Sequence, residues 1–430
     1  MKDLIRTKRD GQALTRDEIA RWIRGVTDGT VPDYQSAALL MAIVLRGMDA
    51  AEGLALTEAM LRSGRVLRWE TLGRPTADKH STGGVGDKVS IALAPWVAAC
   101  GVAVPMLAGR SLAHTGGSID KLEAVPGFRT ALSLEELEAQ VLRLGVAIAA
   151  QSRDLAPADA VLYPLRDATA TVESRPLIVA SILSKKLATG ASAIVFDVKC
   201  GRGAFMRTIE EARVLAADLV GATRALGARA RALITAMDEP LGSAIGNANE
   251  AAEAFAILRG EAPRDVAELT LRLGVEMLTL CGVAREPHEA EARLRLALES
   301  GRAVERAGAL IQAQGGDPRV VSDPDRLPRA EVETPIPSPQ AGFVGAIDPA
   351  SLGRLLVEMG GGRQRMDDRL DHAVGIRILR KVGEPVRAGE ALAILESHRE
   401  AREWAATVQA AFTIQEAPPP VRPLILETVS

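Results

Sequence analysis

The sequence predicts an α/β protein with a small all-helical domain, a large α/β domain built on a mainly parallel central sheet, and a C-terminal α+β subdomain. Helical patterns occupy the first 65 residues, and apolar runs alternate with amphipathic helical stretches from residue 77 to residue 310. Short β-like runs with turn glycines follow from residue 341. We expect domains at 1–65 (joined by 156–190), 70–330 and 335–430, in agreement with the two or three domains that 430 residues allow.

The N-terminal domain has a recognisable helix start. Thr15 and Glu18 form a capping box, in which the threonine hydroxyl caps the helix and the glutamate reaches back to the cap. A second apolar-periodic helix runs from Ser36 through Leu45. Helix-turn-helix DNA readers also contain short helices, but the basic stripe that they need is missing here. The pattern favours a packing or dimerisation domain.

Buried strands are expected in the α/β domain. Each is a short apolar run, over Val102 to Leu107, Val146 to Ala150, Ala193 to Val198 and Ala230 to Thr235. Their alternation with helices indicates a largely parallel sheet. The helical stretch from Pro176 to Leu187 lies between two of these runs, and we expect it to pack away from the sheet.

The C-terminal part starts with a proline-rich segment. Residues 318–339 contain prolines at short intervals and predict a linker. The runs from Ala341 to Ser397 predict a small α+β domain, and the residues after Pro420 predict an extended or edge segment.

Composition excludes several classes of protein. A net charge of −3 and an aromatic content of 3% argue against a dedicated nucleic-acid binder. The three cysteines show no metal-binding spacing and fit a reduced, cytoplasmic setting, and the N-terminus lacks the apolar region of a signal peptide. The uncharged run 89–109 contains Pro95 and Gly101, so it predicts a buried helix, a turn and a strand rather than a membrane span.

The strongest local signal is the segment KHSTGGVGDKVS, residues 79–90, placed directly before a predicted helix. Its glycines let backbone amides approach an anion, its hydroxyls donate hydrogen bonds, and the helix N-terminus favours negative charge. A Walker loop is excluded because Asp87 follows Gly86, and a dinucleotide fingerprint is excluded because Val89 occupies its third glycine position. The segment predicts a phosphate cradle; the alternative is a glycine-rich turn with solvated hydroxyls.

Two further segments carry polar groups towards the same region. A second glycine cluster, residues 109–123, places the Ser118 hydroxyl at a predicted helix start, and loops after parallel strands converge at one edge of the sheet. In the third segment, Ser181 and Lys185 are four residues apart and share a helix face, and Arg166 adds a forked donor. These groups match the carbonyl oxygens and N–H of a uracil or thymine ring, although a solvated helix face is the alternative.

Several long segments extend these signals along nearly the whole chain. They are KHSTGGVGDK from Lys79, HTGGSIDKLE from His114, RDATATVESRPLIVASILSKKLA from Arg166, DVKCGRGAFM from Asp197, MDEPLGSAIGNANE from Met237 and DHAVGI from Asp371. Together they resemble the thymidine phosphorylase/pyrimidine nucleoside phosphorylase family, a class of pentosyltransferases. The resemblance implies reversible phosphorolysis of thymidine or deoxyuridine, and of uridine in some members, to the free base and the sugar 1-phosphate in nucleoside salvage.

The resemblance also implies site residues. A phosphate would be held on the α/β side by Lys79, Ser81, Ser90 and Ser118. The base would be held largely on the helical side by Arg166, Ser181 and Lys185, with pocket walls from Tyr163, Ile178, Ile182 and Phe205. The groups expected to stabilise charge on the departing base are His80, Arg166 and Lys185. For His80, the alternative is a histidine that merely packs in the loop.

Some residues depart from the family pattern. Ser118 stands where the family usually has threonine, which keeps the hydroxyl, and Ser111 and Ala113 replace glycines without removing a ligand group. Cys200 and Arg202 are larger than expected and have no explanation in the sequence; Cys200 fits a packed thiol better than a nucleophile.

The implied partners are inorganic phosphate and a pyrimidine nucleoside, with no nucleic acid and no membrane, in a homodimer formed through the helical domain. No cofactor is required. In some members the resemblance implies a structural monovalent cation, whose ligands here would be the carbonyls of Gly86, Lys88, Leu241 and Ala244 and the carboxylate of Glu253. The rival readings are a phosphoribosyltransferase of the same fold, expected to use magnesium, and a non-catalytic nucleoside-binding protein.

Met106 predicts the sugar preference. Val104-Pro105-Met106 resembles the thymidine-preferring branch, whereas the broad-specificity branch tends to carry lysine in place of Met106. An apolar Met106 offers no donor near a ribose 2′-hydroxyl. We therefore expect a higher kcat/KM for thymidine or deoxyuridine than for uridine, and a clear uridine preference in a side-by-side assay would contradict this.

Overall fold

The structure of the protein, a computed structural model, describes residues 1–111, 115–152, 154–363, 365 and 368–430. The helices are α1 (Lys2–Arg9), α2 (Arg16–Thr27), α3 (Asp33–Arg46), α4 (Ala50–Leu61), α5 (Val89–Ala99), α6 (Ser118–Leu122), α7 (Leu134–Leu144), α8 (Pro157–Ala168), α9 (Arg175–Ala188), α10 (Ile209–Ala225), α11 (Ala248–Arg259), α12 (Arg264–Leu280), α13 (Pro287–Glu299), α14 (Arg302–Ala313), α15 (Pro349–Glu358) and α16 (Arg402–Ala410). The strands are β1 (Ala77–Ser81), β2 (Val104–Ala108), β3 (Val146–Ala150), β4 (Ala193–Cys200), β5 (Arg229–Ala236), β6 (Ala244–Gly246), β7 (Val332–Pro337), β8 (Gly342–Ile347), β9 (Gly375–Ile378), β10 (Pro385–Val386), β11 (Ala391–Ser397), β12 (Phe412–Gln415) and β13 (Ile425–Val429).

The helical domain has one apolar core that later helices share. The predicted capping box at Thr15 is confirmed, and the helix predicted from Ser36 is longer at both ends, as α3. Leu177 and Ala180 of α9 belong to the core built by α1 to α4, as do residues of α8. Further along α9, Leu183 packs with the central strands instead. Helix α9 therefore connects the helical domain to the sheet, and the expectation that it packs away from the sheet is wrong, because the side chains of its second half contact β4.

The central sheet is parallel, as predicted. Strands β1, β4 and β5 pair in parallel in that order, and β2 pairs in parallel with β3. A parallel bridge between Thr76 and Ala103 joins the two sets. Every residue of β4 is buried, which fits a parallel sheet covered on both faces. The carboxyl ends of β1 and β2 consequently lie at one edge, where the two glycine-rich segments follow them.

The C-terminal subdomain is an α+β unit, as predicted, and it is tied to the α/β domain through β6. Its strands form two small antiparallel sheets, in the orders β6-β9-β11-β7 and β10-β8-β12. Strand β6 precedes α11 in the α/β domain and pairs with β9 from residue 244 to residue 246. The segment after residue 237 therefore connects the two domains directly.

The linker predicted for residues 318–339 is wrong. Val320 and Val321 are buried in the α/β core within short 3₁₀ turns, and Pro335 and Pro337 lie in β7. Strand β7 is at the edge of its sheet, where the missing N–H of a proline leaves no ladder bond unmade. The edge segment predicted after Pro420 is confirmed, because β13 pairs antiparallel with β5.

The uncharged run 89–109 folds as α5, a turn at Gly101 and β2, as predicted. No helix in the described part of the chain is long and apolar enough to cross a membrane.

Candidate active site

The first glycine-rich segment forms a loop between β1 and α5. Lys79 lies on β1 with its side chain fully buried, and its Nζ is 3.5 Å from the Oγ of Ser90 in the first turn of α5. Nζ is 3.4 Å from Asp197 and 3.8 Å from Asp87, without a hydrogen bond to either carboxylate. An ammonium has three donors, so Lys79 retains donors for an anion beside the α5 N-terminus.

Asp87 organises this loop, and the sequence reasoning used it only to exclude a Walker motif. Its Oδ2 accepts a hydrogen bond of 2.5 Å from the Ser81 hydroxyl, which in turn accepts one from the amide of Gly83. Burial alone would raise the pKa of Asp87, but Lys79 and other nearby lysines and the Ser81 hydroxyl hold that pKa below its ordinary value. The Asp87 carboxylate therefore fixes the direction of the Ser81 hydroxyl.

Ser118 reaches the cradle through its own helix. It is the first residue of α6 and is half-buried. Lys121 in the same helix donates to the carbonyl oxygen of Asp87 at 2.9 Å and forms an ion pair of 2.5 Å with Glu250. The bond from Lys121 to Asp87 thus ties α6 to the loop between β1 and α5. Residues 112–114 of this second glycine cluster, including the Ala113 substitution, lie outside the described residues.

The side expected to hold the base is formed by helices α8 and α9. Lys185 donates to the Ser181 hydroxyl at 3.1 Å, which places both on one helix face as predicted, and its Nζ lies 5.6 Å from the ring centroid of Tyr163. Asp159, which the sequence reasoning missed, accepts from Lys185 at 2.5 Å and is almost fully buried. The signal was available, since Asp159 and Tyr163 are four residues apart on α8 and share a face.

Arg166 is oriented differently from a simple base-binding fork. It is 3% exposed, and its three guanidinium nitrogens donate to backbone carbonyl oxygens, those of Thr171 (3.4 Å), Leu177 (3.1 Å) and Val172 (2.6 Å). These bonds close the turn between α8 and α9. Two of the five guanidinium N–H groups remain, so a contact between Arg166 and a base stays a prediction.

The predicted apolar walls are dispersed. Ile178 and Ile182 are half-buried on α9, next to the core that covers β4 and β5. Phe205 follows β4 and is 42% exposed, whereas Met106 is 1% exposed within β2. The roles of these side chains towards base and sugar stay predictions.

His80 lies between the two sides. Burial lowers its pKa well below the ordinary value, and the charges of Lys186, Lys79 and Lys185 lower it further. These lysines belong to both the phosphate side and the base side. The imidazole makes no hydrogen bond with a described residue, so a neutral ring with one donor and one acceptor nitrogen is available to a ligand.

A buried ion pair joins the two sides. Lys186 of α9 lies 2.9 Å from Asp78 of β1 and also donates to the carbonyl oxygen of Leu107 on β2 at 2.8 Å. The neighbours of this pair along the chain are Lys185 and Lys79, so α9 is held at the strand edge that carries the cradle.

The residues without a sequence explanation have structural contacts. Cys200 is buried, and burial raises its pKa, which fits the expected packed thiol. The Arg202 guanidinium donates to the carbonyl oxygen of Asp238 at 3.2 Å.

Lys88 is one of the residues expected to hold a cation, and its side chain lies among the others. Lys88 donates through Nζ to the carbonyl oxygens of Leu241 and Ala244 and to the carboxylate of Glu253. Gly86 has a φ of +77°, and a Cβ added there would collide with the carbonyl of Leu241.

Known families match each part of this architecture. The glycosyl transferase family, helical bundle domain, matches residues 2–64, and the glycosyl transferase family, a/b domain, matches residues 73–304. The pyrimidine nucleoside phosphorylase C-terminal domain matches residues 343–415. The chain is 46% identical over 429 residues to a thymidine phosphorylase of Rhizobium meliloti, covering 99% of this chain and 98% of that protein. The chain belongs to the thymidine and pyrimidine-nucleoside phosphorylase family.

Two further phosphorylases are similar to most of this chain. A thymidine phosphorylase of Mycobacterium tuberculosis is 48% identical, covering 99% of this chain and 97% of that protein. A pyrimidine-nucleoside phosphorylase of Bacillus subtilis is 46% identical, covering 93% and 92%. The crystal structure of anthranilate phosphoribosyltransferase from Thermus thermophilus has a TM-score of 0.60 at 24% identity, covering 73% of this chain and 99% of that chain, which shows a shared fold.

The lowered pKa of His80 predicts a pH effect on the stability of this phosphorylase-family chain. The His80 imidazole has a pKa of about 6.5 in the unfolded chain, whereas its pKa in the folded protein lies well below that value. Between these values the unfolded chain binds a proton that the folded protein does not, so the free energy of unfolding falls as the pH falls. His80→Gln should remove this contribution, making the loss per pH unit smaller by up to about 1.4 kcal/mol.

Chemical unfolding over a series of pH values measures this slope. His288→Gln is the matched control, because His288 is exposed and should leave the slope unchanged. Identical slopes for wild type and His80→Gln would contradict a neutral folded-state His80.

Proposed function

We propose that the protein catalyses reversible phosphorolysis of a pyrimidine nucleoside, of the thymidine phosphorylase type, to the free base and a sugar 1-phosphate. The observation that carries this is the juxtaposition of two sides at one sheet edge. The cradle of buried Lys79 and half-buried Ser81 and Ser90 lies on one side, and the Ser181–Lys185 face lies on the other, joined through the Lys186–Asp78 pair. The family relatives named as phosphorylases support it.

Each side answers one need of the reaction. A phosphate oxygen attacks C1′ of the sugar while the bond from C1′ to N1 of the base breaks, and the bonding electron pair leaves with the base. Lys79 and the hydroxyls of Ser81, Ser90 and Ser118 would orient the phosphate behind C1′, which inverts the configuration there. Negative charge grows on the base, so donors aimed at its carbonyl oxygens stabilise the transition state more than the ground state.

His80 and Lys185 are the proposed donors to the base. Lys185 is held by Asp159 and Ser181, so its ammonium is oriented before the substrate binds. A neutral His80 has one N–H to donate to the base O2, which suits hydrogen bonding to the developing anion better than full proton transfer. No organic cofactor enters this scheme.

The phosphoribosyltransferase alternative is supported by fold alone. The solved anthranilate phosphoribosyltransferase has 24% identity and covers 73% of this chain. The match of residues 343–415 to the pyrimidine nucleoside phosphorylase C-terminal domain favours the phosphorylase reaction. A non-catalytic nucleoside-binding protein would be expected to have lost ligand groups, but the proposed lysines and hydroxyls are retained at the sheet edge and on α9.

We infer a homodimer through the helical domain. Helix α3 exposes a row of apolar side chains, Tyr34 (74%), Met41 (37%), Val44 (37%) and Leu45 (73%). Covering such a face is favourable because it removes apolar surface from water. Sedimentation should give the mass of two chains for the wild type and of one chain for Leu45→Glu; a wild-type monomer would contradict the inference.

Phosphate should be the obligatory acceptor. Release of thymine from thymidine should require inorganic phosphate and yield deoxyribose 1-phosphate, because the cradle is built for an anion. A chelator should leave the rate unchanged, which separates this reaction from a magnesium-dependent phosphoribosyl transfer. Equal rates in phosphate-free buffer with free sugar as product would identify a hydrolase and overturn the proposal.

The two donors should differ kinetically. His80→Ala should lower kcat by about 10²–10³-fold with little change in KM for phosphate, since its N–H acts mainly in the transition state. Lys185→Ala should raise KM for the nucleoside as well as lower kcat, because the ammonium contacts the base before bond cleavage.

The matched controls are His288→Ala and Arg175→Ala. His288 is exposed on α13, and Arg175 is exposed on α9 and pairs with Asp218. Both controls should keep wild-type constants. A folded His80→Ala enzyme with near-normal kcat would remove His80 from the chemistry.

A further inference from the structure

Lys88 occupies the centre of a cage of oxygen atoms. Its side chain is fully buried, and Nζ donates to Leu241 O at 3.1 Å, to Ala244 O at 2.8 Å and to the carboxylate of Glu253. An ammonium has three donors and no acceptor, so these three oxygens satisfy it completely. The carboxylate of Glu253 also accepts from the amides of Ser243 and Ala244, which fixes its place in the cage.

These oxygens belong to three of the five residues expected to bind a structural monovalent cation. Rings of carbonyl oxygens bind potassium by replacing its hydration shell. Here the ammonium already takes that position, and a second positive charge beside it would be repelled in a buried site. The cage is also full, since a Cβ added to Gly242 would lie 3.0 Å from Lys88 Nζ and would collide with Glu253. The residues present do not fit a bound cation.

We infer that the Lys88 ammonium is a covalently attached substitute for that cation, and that this protein needs no potassium or sodium for its structure. Lys88 acts as a positioning residue. It stands between Asp87 and Ser90 of the cradle, whereas Leu241 precedes β6, the strand that pairs with β9 of the C-terminal subdomain. The ammonium therefore ties the phosphate loop to the junction of the two domains.

The inference goes beyond the proposed function, and thermal unfolding tests it without any activity measurement. Wild-type protein freed of alkali cations should unfold at the same temperature in potassium chloride, sodium chloride and tetramethylammonium chloride at equal ionic strength. A saturable rise in midpoint that is specific to potassium or sodium would show a bound cation and overturn the inference.

Lys88→Ser should empty the cage and convert it into a cation site. Removing one partner of a buried ion pair is strongly destabilising, so the midpoint in tetramethylammonium chloride should fall on the order of 5 °C. Potassium should recover part of this loss by binding the folded state. KM for phosphate should rise in the variant and should return towards the wild-type value with potassium, a response that general destabilisation would not give.

Lys8→Ser is the matched control. Lys8 is also a buried lysine paired with a glutamate, Glu52, but among the described residues its Nζ donates to that carboxylate alone, in the helical domain. Its midpoint should fall without selective recovery by potassium. A Lys88→Ser protein that keeps the wild-type midpoint, or loses it without recovery by potassium, would contradict the inference. If Lys88→Ser does not fold, the wild-type comparison of cations decides.

Discussion

A buried ion pair between Lys186 and Asp78 holds the two halves of the site together. Burial raises the pKa of Asp78 and lowers that of Lys186, so it disfavours both charges. Each charge is stabilised by the other, which lies 2.9 Å away. The pair joins α9 to β1, and the additional bond to Leu107 O joins α9 to β2. Lys185 and Lys79 are adjacent to these two residues along the chain. This contact therefore sets the distance between the side chains that we propose for the base and those that we propose for the phosphate, although it belongs to neither group.

The cradle keeps its donors available although it is crowded with charge. Lys79 is near two carboxylates but hydrogen-bonded to neither, and the nearby buried oxygen Asp87 Oδ1 has no hydrogen-bond partner among the described residues. Buried polar atoms without a hydrogen-bond partner are costly and are therefore rare in folded proteins. Asp87 holds the Ser81 hydroxyl in place, and Asp159 holds the Lys185 ammonium. These two groups would need little reorganisation in the proposed reaction when charge develops on the substrate.

The fold alone does not choose the reaction. An anthranilate phosphoribosyltransferase shares the fold over 73% of this chain at 24% identity, and the carboxyl ends of parallel strands are a general place for ligands in α/β folds. In this chain a C-terminal subdomain also contacts that edge. The C-terminal subdomain reaches it through the β6–β9 pairing and through Arg363, which lies 3.1 Å from Asp120 of α6.

Local patterns were sufficient for the four apolar strands β2 to β5, the capping box at Thr15, the glycine-rich loop and the shared face of Ser181 and Lys185, because each depends on residues a few positions apart. They missed β1, whose residues are largely polar. Other features depend on partners distant in sequence. The end of the proline-rich segment forms the edge strand β7 because β11 pairs with it, and the Arg166 guanidinium donates to carbonyl oxygens of the α8–α9 turn. Lys88 shows the limit most clearly: its acceptor Ala244 is 156 residues away, and no local spacing records that distance. Periodicity determines which face of an element is apolar, whereas only the packed chain decides which buried charge meets which oxygen.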